Sequence, residues 1–83
     1  MAEKEIITLE EAQATAERFL NERLKSLRRT SVIRVQLTSV ERIVIYQVEG
    51  IVTIGGGFLS RSAERPFKVQ VNASDAAIVG YET

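Results

Sequence analysis

Apolar residues in the first third of the chain recur at steps of three and four. Leu9, Ala12, Ala16, Phe19, Leu20, Arg23 or Leu24, and Leu27 fall on one stripe, and Glu10, Glu17, Arg18, Glu22 and Lys25 fall opposite. This spacing predicts an amphipathic helix over residues 9–28 that packs one face on a core. Thr8-Leu9-Glu10-Glu11 has the form of a capping box, with the Thr8 hydroxyl accepting from the Glu11 amide and the Glu11 carboxylate accepting from the Thr8 N–H. A helix of that length is a rod of roughly 30 Å. It would overhang a seven-residue strand of about 23 Å, which favours a strongly coiled sheet as its host.

Near Thr30 the rhythm changes to two. Ile33, Val35 and Leu37 alternate with Arg34, Gln36 and Thr38, predicting a half-buried strand over 32–38. A longer run over 42–54 carries Val44, Tyr46, Val48, Val52 and Ile54 on one side around Gly50, which is expected to mark a bend or bulge. Pro66 cannot donate to a ladder and is placed at the start of a third strand, 66–72, in which Phe67, Val69 and Val71 face inward. Ala73-Ser74-Asp75-Ala76 reads as a tight turn into a last strand over 77–81, too uniformly apolar to assign faces. Short connections make the neighbours antiparallel, and a helix ahead of every strand has one sheet face to cover. The predicted fold is α+β, a single domain over 1–83 with an N-terminal helix on a curved four-stranded antiparallel meander.

Composition narrows the chemistry. With 83 residues, 45% apolar and 27% charged, the chain suits one soluble globular core. Cysteine and histidine are both absent. That removes disulfides, thiolate nucleophiles, and the commonest general base and transition-metal ligand. The acids fall on the exposed helix face, in turns or at the ends, where carboxylates keep ordinary pKa values. No enzyme activity, cofactor or metal site is expected, and no phosphate-loop, dinucleotide-binding or calcium-loop pattern is present. No apolar run approaches the ~18 residues of a membrane span, and no export signal is recognised, so a cytoplasmic location without membrane contact is expected. Asn72-Ala73-Ser74 is then turn chemistry and not a glycosylation site.

Charge is balanced overall but not locally. Residues 1–22 carry a net charge of −4 and residues 23–42 a net charge of +5. Acids early and bases late in a helix follow its dipole. The bases Arg23, Lys25, Arg28, Arg29 and Arg34, with Arg42, nevertheless form the candidate patch for nonspecific nucleic-acid binding. Tyr46 and Phe67 sit at inward positions, which leaves no stacking platform for single-stranded bases.

Two other segments are candidates for contact with a protein. Gly55-Gly56-Gly57 leads into Phe58, Leu59, Arg61 and Arg65, a long hairpin tip whose two large apolar residues are expected either to anchor a partner or to fold back over the sheet edge. Ile43, Ile45 and Ile51 lie on the outward side of the second strand, the pattern of a homodimer face. The function expected from these features is a non-enzymatic, self-associating protein-interaction module. Nucleic-acid binding through the basic cluster and a small-ligand pocket between helix and sheet are the alternatives.

The order of one helix and a strand meander resembles the cystatin-like architecture, and two stretches are more specifically similar to the PepSY domain. Ile7-Thr8-Leu9-Glu10-Glu11-Ala12 is similar to that family's opening. The run from Phe67 to Glu82 is similar to its closing hairpin, with Asn72 and Ala76 standing where the family usually carries aspartate and glycine. The resemblance covers about a third of the chain, and it implies a non-catalytic module that binds or restrains another protein, often a peptidase.

Overall fold

The computed structural model describes residues 6–55 and 61–83. One helix, α1 (Leu9–Arg23), precedes four strands, β1 (Leu27–Val40), β2 (Ile43–Ile54), β3 (Ala63–Asn72) and β4 (Ile78–Glu82). The strands form one antiparallel sheet in chain order, and α1 packs on one of its faces.

The helix begins as its residues dictate. Thr8 is the N-cap, its hydroxyl accepts from the Glu11 N–H at 3.1 Å, and the Glu11 carboxylate accepts from the Thr8 N–H at 3.4 Å. The leader is tied to the sheet as well. The Ile7 N–H donates to the Ala73 carbonyl at 2.8 Å, and the Tyr46 hydroxyl donates to the Ile7 carbonyl at 2.9 Å.

At the other end α1 stops five residues before the expected Arg28. Leu24 is the C-cap in an extended conformation, and Ser26 reverses the chain with φ 64°. Leu24 and Leu27 continue the three-residue rhythm in sequence, but Leu27 is already in β1, paired with Ile54. The stripe itself is narrower than expected. Ala12, Ala16 and Leu20 are fully buried, Phe19, Leu24 and Leu27 are half-buried, and Leu9 remains 45% exposed at the first turn. Phe19 lies at the sheet margin, edge-on to Tyr81 with ring centroids 5.0 Å apart.

These bounds reverse the expected proportions. Fifteen helical residues span about 22 Å, while the 14 residues of β1 span about 46 Å. The helix therefore covers part of the sheet, and the end of β1 from Gln36 to Val40 is exposed.

The core is the layer between α1 and the inward rows of β2 and β3. Tyr46, Val48 and Val52 from β2 and Phe67, Val69 and Val71 from β3 meet Ala12, Ala16 and Leu20, with Ala73 closing one end. Small alanines on the helix let its backbone approach the valine rows closely.

Strand β1 departs from simple alternation. Arg28 and Ile33 are extra residues in its pairing with β2, as Arg29 pairs with Thr53 next to Leu27–Ile54, and Arg34 pairs with Glu49 next to Val32–Gly50. Each insertion shifts the side-chain parity. Ile33, expected in the core with Val35 and Leu37, is 70% exposed, and Val32 is half-buried in its place. Leu37 does oppose Tyr46 on the helix side, but it lies beyond the helix and is half exposed.

The irregularity expected at Gly50 is thus on the strand facing it. A Cβ on Gly50 would overlap the Ser31 carbonyl oxygen and sit 2.9 Å from the Phe67 ring, so glycine lets both come close. Pro66 lies inside β3 and not at its start, opposite Ile51. It is tolerated because β4 reaches only as far as Lys68, so the chain before it has a neighbour on one side alone.

The last hairpin follows its turn chemistry. The Asn72 carboxamide oxygen accepts from the Ser74 N–H at 2.8 Å, the Asp75 carboxylate accepts from the Ala77 N–H at 3.0 Å, and Ala76 adopts φ 63°. In β4, Tyr81 and Ile78 face the core opposite Val69 and Val71, while Val79 is the extra residue between two pairs and is 49% exposed. Among the described residues, no helix is long and apolar enough to cross a membrane.

Candidate interaction surface

The face of the sheet away from α1 is covered by no other element among the described residues. Its side chains are fixed by register, because in every strand the residues between the core positions point outward. Reading across the strands, Val40 pairs with Ile43, and Thr38 with Ile45 and then Asn72. The next row is Gln36, Gln47, Gln70 and Gly80, and the one after it is Arg34, Glu49, Lys68 and Glu82. Beyond these, Ser31, Ile51 and Pro66 share a row.

The two middle rows make a polar band. The Arg34 guanidinium meets the Glu49 carboxylate at 3.0 Å. The Gln47 carboxamide donates to the same Glu49 oxygen at 3.0 Å, and Gln70 donates to Gln47 at 3.4 Å. The Glu49 carboxyl is held below its ordinary value of 4.5, chiefly by the Gln47 hydrogen bond. Partial desolvation opposes this, and the charges of Arg34 and Lys68 reinforce it.

Apolar residues flank the band on both sides. Toward the β1–β2 hairpin, Val40, Ile43, Ile45 and Val79 line one depression with Gln70. Toward the other end, Ile33, Ile51 and Pro66 border a second hollow with Arg34 and Glu49. The three isoleucines expected to form a dimer face are therefore divided. Ile43 is 46% exposed in the first patch, and Ile51 is half-buried in the second, about 20 Å along β2 from Ile45. Ile45 is 3% exposed and is already buried within its own chain.

The remaining candidates are scattered. Phe58 and Leu59 lie outside the described residues. Arg61 is exposed just ahead of β3, and Arg65 is exposed in β3 opposite Val52. Arg23, Lys25, Arg28 and Arg29 gather at the end of the molecule where α1 gives way to β1. Arg23 lies over the Tyr81 ring at 5.8 Å, and Arg28 lies against Gly55, where a Cβ would overlap its side chain. Arg34 is engaged by Glu49, and Arg42 is in the turn beyond Val40, itself about 36 Å along β1 from Arg29. The six bases thus do not form one surface. The layer between helix and sheet, the alternative place for a ligand, is filled by Leu20, Val48, Val52, Val69 and Val71, all fully buried.

Alternation along single strands located the outward isoleucines. It could not reveal the rows, since Glu49, Lys68 and Glu82 become neighbours only through pairing, nor could it reveal the exposure of Ile33 and Val79, which are themselves the extra residues in their strands. In comparisons with protein-family models, curated proteins and solved structures, the chain matches none of them.

Proposed function

We propose that this protein is a non-enzymatic interaction module that associates with a second copy of itself through the outer face of its sheet. The observation that supports this is the uncovered outer face, in which exposed Ile43, Val79, Val40 and Ile33 sit on either side of a hydrogen-bonded polar band. Apolar patches rimmed by polar groups are the usual composition of an association surface. The helix-then-meander order also fits the cystatin-like and PepSY resemblance, and such a frame suits a domain that binds or restrains another protein. Nucleic-acid binding has less support, because the bases are spread over both ends of the molecule and Arg34 is already paired. A ligand pocket beneath the helix has less again.

Sedimentation equilibrium over a wide concentration range tests the proposal. Wild type is expected to pass from monomer to dimer, and Val79→Lys to remain monomeric with an unchanged melting curve at low concentration. Ile45 is a poor probe, because a charge there would be buried within the monomer itself. A wild-type chain that stays monomeric at the highest attainable concentration ends the proposal.

A further inference from the structure

The charges of the polar band alternate across the sheet in a way that selects one dimer geometry, an inference that rests on the self-association proposed above. Arg34 on β1, Glu49 on β2, Lys68 on β3 and Glu82 on β4 form a single row with signs plus, minus, plus, minus. Two copies packed outer face to outer face are related by a two-fold axis lying between the sheets, and closed dimers use such an axis far more often than any other. The axis can run along the strands or across them.

An axis along the strands keeps every residue at its own height and reverses the strand order. It sets β1 over β4 of the second copy, and β2 over β3. Arg34 then faces Glu82 of the second copy, Glu49 faces its Lys68, and symmetry repeats both, giving four opposite pairs. The neighbouring row is compatible, since Gln47 faces Gln70 of the second copy, and Gly80, which has no side chain, leaves space for Gln36. In the row beyond the band Ile51 faces Pro66 of the second copy, and toward the β1–β2 hairpin Ile45 faces its Asn72. An axis across the strands and centred on the row sets each strand over itself, so that Arg34 opposes Arg34 and Glu49 opposes Glu49. Like charges placed face to face disfavour that arrangement.

We infer that the outer sheet face is a self-complementary docking surface for a second copy of this chain, with the two-fold axis parallel to the strands and the Arg34–Glu49–Lys68–Glu82 row as its register key. Ile51 and Pro66 supply apolar contact across the interface, and the charge row selects the orientation, because ion pairs at an interface contribute more to specificity than to affinity. The shorter strands limit the contact area. With β1 over the five residues of β4 and β2 over the ten of β3, the overlapping strands present about 480 Å² per partner at ordinary rise and spacing, the area of a small, transient interface.

A charge swap separates pairing between copies from pairing within one. Arg34→Glu and Glu82→Arg each place like charges between copies, and each is expected to weaken the dimer about tenfold. The double variant restores opposite charges between copies, although within each chain it leaves two carboxylates side by side on β1 and β2 and two cations side by side on β3 and β4. Dimer affinity returning to within a few-fold of wild type in the double variant supports the geometry. Singles that dimerise as tightly as wild type, or a double variant no better than the singles, overturn it while leaving self-association intact. A monomeric wild type overturns the underlying proposal and this geometry with it. Thermal melts at low concentration check that all three variants fold.

Discussion

On the helix side of the sheet, β2 and β3 put up Tyr46, Val48, Val52, Phe67, Val69 and Val71, and all six are buried beneath α1 and the residues that flank it. On the other side the same two strands put up Ile45, Gln47, Glu49, Ile51, Pro66, Lys68 and Gln70, and nothing lies over them among the described residues. The first face gains its energy from removing apolar surface from water, at roughly 25 cal/mol per Å². The second is held by contacts between neighbours in its own plane, the Gln70–Gln47–Glu49–Arg34 chain of hydrogen bonds above all. One sheet therefore divides its duties by parity, with even positions of β2 securing the fold and the odd positions other than buried Ile45 left to meet something else.

Substitutions on the two faces should differ most in their effect on the monomer. Leu20→Ala empties a fully buried site in the middle of the layer, and a loss of about 2–5 kcal/mol is expected. In so small a domain that is a large share of the total. Ile43→Ser on the outer face, where the side chain is only half-buried, should cost about 1 kcal/mol. Urea melts in dilute solution measure both. Equal losses would mean that the outer face is as structural as the inner one, and the division by parity would fall.

Much of the inner face was legible in sequence. The capping box located the start of α1, and the alternations at Tyr46–Val48 and Phe67–Val71 located the two central strands and their inward rows. The end of α1 was not legible, because Leu24 and Leu27 satisfy a helical step and the strand that follows equally well. Strand β1 misled for a different reason. Ile33, Val35 and Leu37 alternate faithfully, but alternation assigns faces only where no residue is inserted, and Ile33 is itself the inserted residue. The candidate surface was legible only in outline: its isoleucines follow from the odd positions of one strand, whereas its charge row exists only after four strands are set in register.

The turns that connect these strands offer a smaller test. Ala76 holds φ 63°, a left-handed conformation that costs an L-residue about 1–2 kcal/mol and glycine almost nothing. Part of that gain is lost to the greater freedom of glycine in the unfolded chain. Ala76→Gly should then stabilise the domain by about 0.5–1 kcal/mol, as a higher melting temperature or urea midpoint. A destabilised variant would show that the Ala76 methyl, packed beside the core cluster, outweighs the backbone relief.

The smallest expected effect is on the outer face and depends on pH. Glu49 is approached by Gln47 on its own strand, by Arg34 from β1 and by Lys68 from β3, and these hold its folded pKa below the ordinary 4.5. A carboxyl with a depressed folded pKa binds its proton more readily in the unfolded chain. The stability it contributes is therefore fully present above the unfolded value and disappears as pH falls through the folded one. Urea melts of wild type and Glu49→Gln, both dilute, should show a difference that is constant above about pH 5.5 and shrinks below 4.5. Removing Gln47, the largest cause, should bring the Glu49 titration, followed by carboxyl chemical shift, back toward 4.5. An unmoved titration in Gln47→Ala would mean that Arg34 and Lys68 alone set the charge of this row. Its in-plane hydrogen bonds would then be incidental, and electrostatics alone would distinguish the outer face from the packed one.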